Sequence, residues 1–403
     1  MSVPQYRVAI VGFGCGGATA AILLARQGHE VHLYERAPAN KPVGAGFLLQ
    51  PSGMKVLQEL GILDELLPQT AKIDKLYCRN SSGKKMLDMP YGELDEGLFG
   101  AGTHRGTFLT ILEKHVISSG ANIHWDTEIT SFTNGDTVTV ENKSNNISEK
   151  FDAIIIADGA RSTLRKQLKI KQSDKKYPWG ALWFIGKRTS SFDENTLWQA
   201  VQSTKLLAGF LPTGTDEDLI SMFWSIRIDQ IEQWRSRGIN KWKSDVLKLV
   251  PHIEEYLEQI ESPSQIQSAE YHDVVMKHWH DESAVIIGDA AHALSPQLGQ
   301  GVNLAICDAA ELALQISQYP IKEAFARYSA ARKQQTRFYQ FATRWTIPFF
   351  QSDYPALGAL RNIAFPIANQ IPLIKRQMVA TMAGLKTGPV SSLPLEPYKN
   401  FKS

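Results

Sequence analysis

The chain begins with short apolar runs that are separated by glycine and polar residues. An apolar run at Tyr6–Val11 predicts a buried strand, Gly17–Gln27 predicts a helix, and Glu30–Tyr34 predicts a second strand. Strand, helix and strand within about 30 residues make a βαβ unit, because two parallel strands need such a crossover. We therefore expect an α/β fold that opens with a parallel pair of strands.

Further along, the pattern changes between period-two alternation and helical spacing. Two alternating runs on either side of Asn134-Gly135 predict a β-hairpin, because both turn residues tolerate a positive φ. The segment 151–166 predicts a strand, a turn and a helix. Another strand is expected at Ser283–Asp289, and a helix at about 303–318.

A region of different character interrupts this pattern. Residues 175–280 hold short runs of aromatic and β-branched residues, which predict antiparallel strands. We therefore predict a discontinuous Rossmann-like nucleotide-binding domain with a parallel sheet, an inserted, mostly antiparallel substrate sheet domain, and a C-terminal helical extension. The boundaries are 1–71, 105–170 and 280–345 for the nucleotide-binding domain, 72–104 and 171–279 for the sheet domain, and 346–403 for the extension and tail.

The composition narrows the class of partner. The 403 residues carry a formal net charge of +2 with no long basic run, so we expect no nucleic-acid partner. The three cysteines are widely spaced, which indicates neither a metal cage nor a disulfide framework and fits a cytoplasmic protein. The glycines within Gly12–Gly17 argue against a signal peptide or a membrane span in the first apolar stretch.

The glycines of the first turn follow the spacing Gly12-x-Gly14-x-x-Gly17, between a predicted strand and a predicted helix. Such a turn lets the backbone approach a pyrophosphate, and the helix N-terminus offers free N–H groups to it. Glu35 ends the second strand and can accept hydrogen bonds from an adenosine ribose, beside Arg36. The pattern indicates NAD or FAD rather than NADP, and a turn without any ligand is the alternative.

Two later turns favour a flavin. Asp158-Gly159 and Gly288-Asp289 each follow a predicted strand, and ligands of such folds collect at the carboxyl ends of the strands. The Asp289 carboxylate suits a ribityl hydroxyl, which a nicotinamide dinucleotide lacks. The helix start at 299–303 suits a ring whose far edge becomes negative on reduction, because free N–H groups face it.

These turns together resemble the flavoprotein monooxygenases of the para-hydroxybenzoate hydroxylase type, the single-component aromatic hydroxylases. The resemblance covers residues 5–345, and two further segments match the family in part. The segment THRGTFLTIL at 103–112 implies that Arg105 lies near the flavin. The segment PVGAGFLLQPSG at 42–53 is similar to the loop that passes the flavin ring, and it contains Gly46.

The resemblance implies an FAD-dependent hydroxylase. NADPH or NADH reduces the flavin, O2 adds to it, and a flavin hydroperoxide transfers an OH group to an aromatic or polycyclic small molecule. Pro296 matches a proline of this family whose carbonyl lies near the hydroxylation site. The resemblance also implies that Asp158 lies near both FAD and the nicotinamide dinucleotide. The predicted cofactor ligands are Gly12, Gly14, Gly17, Glu35, Arg36, Gly46, Arg105, Asp158, Asp289, Pro296, Gly299, Gly301, Val302 and Asn303.

Several side chains have two interpretations. Trp183, Phe210 and Trp224 could line a pocket for an aromatic substrate, or they could belong to the core of the sheet. His292 could relay a proton, although a structural role is favoured at this position. We expect no metal site, because no set of His, Cys and carboxylate residues has convincing ligand spacing.

Other functions remain open from the sequence. A flavin-dependent reductase or halogenase is one alternative, and a flavoprotein that sequesters a small molecule without catalysis is another. A halogenase should carry a Trp-x-Trp-x-Ile-Pro stretch, which the sequence lacks. The segment Pro355–Met378 could lie on a membrane surface or pack as a cover over the pocket, and its prolines favour the cover. The substrate, the choice between NADH and NADPH, and the oligomeric state stay undetermined.

Overall fold

The computed structural model describes residues 4–40, 45–142, 147–214 and 218–393. The strands of this part are β1 (Arg7–Val11), β2 (Glu30–Tyr34), β3 (Gly46–Leu49), β4 (Ala71–Ile73), β5 (Lys75–Asn80), β6 (Lys85–Pro90), β7 (Gly100–His104), β8 (Asn122–His124), β9 (Ser131–Thr133), β10 (Val138–Asn142), β11 (Ile147–Phe151), β12 (Ala153–Ile156), β13 (Gln172–Lys187), β14 (Thr196–Gln202), β15 (Leu206–Gly214), β16 (Leu219–Arg227), β17 (Gln267–Met276), β18 (His280–Asp281) and β19 (Ala284–Ile286). The helices are α1 (Cys15–Arg26), α2 (Pro51–Glu59), α3 (Leu63–Leu66), α4 (Arg105–Ser118), α5 (Ile231–Ser236), α6 (Ile239–Leu249), α7 (Glu254–Glu258), α8 (Asp289–His292), α9 (Gly301–Ile316), α10 (Ile321–Thr346), α11 (Pro355–Gln370) and α12 (Pro372–Met382).

One sheet has six strands in the order β18-β19-β12-β1-β2-β8, and all its pairs are parallel except β18 with β19. Its central strands are continuous apolar runs because helices cover a parallel sheet on both faces. Residues 8–10 of β1 and 153–156 of β12 are accordingly fully buried. Helix α1 packs against α9 and α4. The predicted α/β fold with a parallel sheet is confirmed.

Two local predictions in this region need correction. The hairpin around Asn134-Gly135 forms, since β9 and β10 pair antiparallel. Neither turn residue has a positive φ, however, and the connection is the longer segment 134–137. The α-helix predicted after Asp158 does not form, and the chain makes only a short 3₁₀ helix there, at Leu164–Gln167.

A second sheet has seven strands in the order β17-β13-β16-β15-β14-β5-β6, and it is antiparallel apart from the pair β14 with β5. Alternate residues of each strand point to opposite faces. One face packs against the layer of α5, α6 and α7, and its core includes Phe210, Met222 and Trp224. The opposite face, called the open face below, meets the small sheet β3-β7-β4 and the C-terminal helices.

The small sheet packs against the seven-stranded sheet. The Gly46 N–H at the start of β3 donates to the Ser221 Oγ of β16 at 3.0 Å. A Cβ at Gly102 of β7 would lie 1.8 Å from the Pro212 carbonyl oxygen of β15, so only glycine permits this contact. Strands β3 and β7 thereby hold the chain that enters α2 against the open face of the seven-stranded sheet.

The C-terminal extension packs on that same open face. The buried Arg361 guanidinium donates to the Ser203 and Phe349 carbonyl oxygens, both at 2.8 Å. Phe350 and Met382 belong to one apolar cluster with strands of the sheet. The outer side of α11 and α12 remains exposed, with Leu360, Ile363, Ile367, Ile371, Leu373 and Ile374 accessible to solvent. No helix among the described residues has the length and apolar character needed to cross a membrane.

Candidate cofactor site

The first turn of the parallel sheet brings Gly12 and Gly17 into close contact. Gly12 has a φ of +109°, and a Cβ there would lie 2.5 Å from the Ala157 carbonyl oxygen. A Cβ at Gly17 would lie 2.1 Å from the Gly12 carbonyl oxygen. Gly14 differs, because a Cβ there would meet nothing within 4 Å. Gly12 and Gly17 therefore close the turn, whereas Gly14 presents an open backbone surface at the start of α1.

The acidic residue at the end of β2 is held beside this turn. One Glu35 carboxylate oxygen accepts from the Phe13 N–H at 2.8 Å, and the other accepts from the Ala37 N–H at 2.9 Å. Arg36 follows as an exposed side chain. The two backbone donors fix the orientation of the Glu35 carboxylate, and its remaining lone pairs are those that a ribose hydroxyl would use.

The second turn follows β12 and contains Asp158. Its Oδ1 atom is buried and has no hydrogen-bond partner within the described chain. Burial raises the pKa of the Asp158 carboxyl, and a hydrogen bond with Ser162 opposes this rise. A buried acceptor without a partner is costly unless a ligand satisfies it. This atom therefore fits a site that takes up a polar ligand group.

The third turn follows β19. Gly288 has a φ of +60°, and a Cβ there would lie 3.1 Å from the Ala305 Cβ of α9. The Asp289 side chain is reached by solvent but has protein on most sides, so burial raises the pKa of its carboxyl, while His292 and Arg105 oppose the rise. Arg105 itself is exposed at the start of α4.

The start of α9 completes this part of the site. A Cβ at Gly301 would lie 3.5 Å from an Asp289 carboxylate oxygen, which places the first turn of α9 next to the third turn. Pro296 and Gly299 are exposed on the segment before it, and Gly299 has a φ of +63°. Val302 is half-buried. The first N–H groups of α9 lack partners inside the helix and are the donors that an anionic ring edge would meet.

Asn303 faces the protein and not the open side of this segment. Its Oδ1 accepts from the Gln50 N–H at 2.8 Å, and its Nδ2 donates to the Leu48 and Gly299 carbonyl oxygens at 3.2 Å. Asn303 therefore ties β3 and Gln50 to the start of α9. Gly46 lies half-buried at the other end of β3, while residues 42–44 of the same predicted loop fall outside the described chain.

A buried ion network lies behind the third turn, and the sequence did not reveal it. Asp308 of α9 accepts from His292 at 2.5 Å, from the Gly288 N–H at 3.0 Å and from Arg332 of α10 at 2.8 Å. Burial alone would raise the pKa of Asp308, but His292 and Arg332 outweigh it and lower the pKa to about 2. His292 thus holds the Asp308 carboxylate, which in turn accepts from the backbone of the turn, and this agrees with a structural role for His292.

The predicted substrate residues lie on opposite faces of the seven-stranded sheet. Trp183 of β13 is half-buried and pairs directly with Phe223 of β16. Phe223 lies two residues after Ser221, which contacts β3, so Trp183 also lies on the open face. Phe210 and Trp224 are buried in the core that packs against α5, α6 and α7. Their placement does not support a role in a pocket on the open face, since they point away from it.

Two further groups of polar side chains are Arg227 and the pair His278 and His280. Arg227 pairs with Asp229 and Asp353 at the edge of the sheet, and its guanidinium also lies 5.9 Å from the centre of the Trp179 ring. The rings of His278 and His280 are 5.3 Å apart. Within the part of the chain that the structure describes, no group of three or more His, Cys, Asp or Glu residues is arranged to hold a metal.

Comparisons with known proteins agree with this geometry. Residues 5–336 match the family model described as FAD binding domain. The 6-hydroxynicotinate 3-monooxygenase of Bordetella bronchiseptica is 27% identical over 331 residues, which cover 76% of this chain and 81% of that protein. The aurachin C monooxygenase/isomerase of Stigmatella aurantiaca is 26% identical over 338 residues, which cover 81% and 84% of the two chains.

Solved structures share the fold. Klebsiella pneumoniae HpxO, determined with FAD and uric acid, matches with a TM-score of 0.80 at 20% sequence identity and covers 96% of this chain and 98% of its own. The family model and these relatives identify the chain as an FAD-dependent monooxygenase of the aromatic hydroxylase class. The chain belongs to the FAD binding domain family, whose model spans most of its length, and FAD is its cofactor.

Proposed function

We propose that this protein hydroxylates a small aromatic or polycyclic molecule, with NADH or NADPH as reductant and O2 as the source of oxygen. The observation that carries the proposal is the convergence of the three turns. The open backbone at Gly14, the unpartnered Asp158 oxygen and the Asp289 carboxylate all lie at the carboxyl ends of neighbouring parallel strands. The names of the relatives support an aromatic or heteroaromatic substrate.

The side chains bind and orient in this proposal. Bound FAD supplies the hydride acceptance and the oxygen chemistry, which amino-acid side chains do not provide. The Gly14 turn and the start of α1 hold the pyrophosphate, and Glu35 holds the adenosine ribose. Asp289 holds the ribityl chain, with Arg105 nearby as a compensating charge.

The ring end of the site is proposed to be formed by the segment before α9. The N–H groups at Gly301 and Val302, at the start of α9, would stabilise the negative charge that the bound flavin gains on reduction. Pro296 is exposed on the same segment, where a substrate could approach, and its carbonyl oxygen accepts from the Gly299 N–H at 2.8 Å. Asn303 acts through Gln50, because its amide holds the two neighbouring backbones in register.

Oxidation of the nicotinamide in the presence of candidate aromatics tests the function. The purified protein should hold FAD, and suitable aromatics should accelerate NADH or NADPH oxidation and yield a product with one added oxygen atom by mass spectrometry. Oxidation without oxygen transfer would instead indicate a reductase, and a halide-dependent product would indicate a halogenase. Binding of an aromatic without turnover would indicate sequestration.

For the C-terminal extension, we propose the role of a cover over the open face of the sheet. Ser352 and Thr204 exchange hydrogen bonds at 2.8 Å, which fixes the segment before α11 to the turn between β14 and β15. At the other end, the Gln300 Nε2 donates to the Met382 carbonyl oxygen at 2.7 Å. The extension thus spans from the seven-stranded sheet to the segment before α9. Its outer apolar side is a surface that a membrane or a second copy could contact.

A further inference from the structure

One row of directly paired residues across the seven-stranded sheet combines two aromatic side chains, a glycine and a glutamine. The strand register pairs Trp183 with Phe223, Phe223 with Gly209, and Gly209 with Gln199. Directly opposed residues of antiparallel strands point to the same face. Because Phe223 lies two positions after Ser221, the whole row lies on the open face that Ser221 shares with β3.

The middle of this row is an accessible aromatic surface. A Cβ at Gly209 would lie 2.0 Å from the Phe223 ring, so the ring lies across a position that only glycine can provide. Phe223 and Trp183 are both half-buried. Among the described residues, Trp183 belongs to none of the hydrophobic core clusters. Phe223 also packs against the apolar cluster of this face, so the exposed part of its ring and the Trp183 ring are what a planar ligand could contact.

The polar end of the row is Gln199. Its side chain is half-buried and makes no hydrogen bond to any described residue. Leu197 and Val201, which share its face of β14, are buried apolar residues. The Gln199 amide consequently offers one acceptor and two donors in otherwise apolar surroundings, which suits a ring carbonyl or hydroxyl group.

The charged residues of this face lie away from the row. Among the described positions of the strands, the cations of this face are Lys187 and Arg227, at opposite ends of the paired strands β13 and β16. Arg227 is already paired with two carboxylates. Arg361 of α11 also packs on this face, but its guanidinium is buried and donates to the Ser203 and Phe349 carbonyl oxygens. A carboxylate bound at the row would therefore lose water without gaining a cation that is free to pair with it, which is unfavourable.

We propose that the substrate of this enzyme is an uncharged planar aromatic, which stacks on Phe223 and Trp183 and hydrogen-bonds to Gln199 through a ring carbonyl or hydroxyl. The proposal rests on the hydroxylase function above and adds the substrate class. It sets this chain apart from a relative such as 6-hydroxynicotinate 3-monooxygenase, whose named substrate carries a carboxylate.

Matched probe pairs test the charge of the substrate. The FAD-loaded protein is titrated with 2-hydroxypyridine against 6-hydroxynicotinate, and with 4-hydroxyquinoline against 4-hydroxyquinoline-2-carboxylate, and the change in flavin absorbance gives each Kd. We expect the neutral member of each pair to bind at least about tenfold more tightly, since a lone buried charge is costly. Equal binding within both pairs, or tighter binding of the carboxylates, would overturn the inference. The flavin spectrum and its bleaching by NADH or NADPH test the hydroxylase function separately.

A pair of glutamine variants tests the role of Gln199. Gln199→Leu should weaken 4-hydroxyquinoline binding about five- to tenfold, because one hydrogen bond to a neutral group is lost. Gln202→Leu, on the same strand but exposed, should leave the affinity unchanged. Both variants should keep the flavin content and melting temperature of the parent protein. An unchanged affinity in Gln199→Leu would remove Gln199 from the site.

Discussion

Asn303 at the start of α9 and Gln50 after β3 are joined by a hydrogen bond, with the Gln50 N–H donating to the Asn303 Oδ1 at 2.8 Å. Asn303→Ala leaves this N–H and the Leu48 carbonyl oxygen buried without their partner. We expect a loss of about 3 kcal/mol in stability and a weaker hold on FAD, measured by thermal melting and by flavin fluorescence. Asn122→Ala, at an exposed strand position, is the control. Equal flavin retention in both variants would contradict the assignment.

Two glycines of the first turn should respond differently to the same methyl group. Gly14 has a φ of −98° and open space at its Cβ, so Gly14→Ala should fold normally but lose about tenfold in FAD affinity. Gly17→Ala should lower the melting temperature of the protein even without FAD, because its Cβ would overlap the Gly12 carbonyl. Melting curves with and without FAD separate the two effects. The prediction fails if Gly14→Ala binds FAD like the parent.

The pKa of Asp308 predicts a dependence of stability on pH. Because the folded pKa is about 2, below the ordinary value of 3.8, this carboxylate stabilises the fold above pH 4 and its contribution fades as the pH falls toward 2. Asp308→Asn should lower the melting temperature by about 5 °C at pH 7, since it breaks a buried ion network. The difference from the parent should shrink at pH 3. Asp64→Asn, exposed on α3, serves as the comparison, and a gap that stays constant with pH would refute the interpretation.

The contact between the extension and α2 can be tested with a glycine pair. Gly384 and Gly28 both have a positive φ, at +79° and +89°. A Cβ at Gly384 would lie 2.1 Å from the Ser52 Oγ, whereas one at Gly28 would meet nothing within 4 Å. Both alanine variants carry the backbone cost of about 1 kcal/mol, but Gly384→Ala should also release flavin faster. Matching release rates would show that the extension does not support the site.

The outer side of the extension gives a prediction about membranes. Ile363 and Ile367 are 62% and 55% exposed on α11. If the extension acts as a cover, replacing both with serine leaves flavin content and turnover unchanged, because most of each side chain is exposed to solvent. Sedimentation with vesicles of mixed neutral and anionic lipid provides the second measurement. Retention of the parent but not of the variant would favour the membrane interpretation instead.

Much of the nucleotide-binding unit could be predicted because it is encoded locally. The buried strands are continuous apolar runs, and the glycines of the first turn stand between a strand and a helix that are close in sequence. The link between Asn303 and Gln50 could not be predicted, since 253 positions separate the two residues. Asp308 did leave a trace, as an acidic residue inside the apolar stripe of α9, but its partner lies on another helix.

The seven-stranded sheet shows a different limit of sequence analysis. Alternation along β16 places Trp224 and Phe223 on opposite faces, yet it cannot tell which of them points to the open face, because apolar clusters lie on both sides of this sheet. Aromatic side chains were the visible signal, and two of the three predicted residues fell on the face that packs against helices. Gln199 carried no signal in the sequence, since a single glutamine in a strand is ordinary.

The order of strands in the parallel sheet has a consequence for biosynthesis. β12 pairs with β1 on one side and with β19 on the other, and β19, at residues 284–286, is synthesised long after β12. At ordinary translation speeds the nascent chain carries this apolar edge uncovered for on the order of ten seconds. An exposed strand edge is a template for pairing with other chains. The pace of the ribosome between these two strands, and the chaperones present there, therefore help to decide how much of this enzyme reaches its native state.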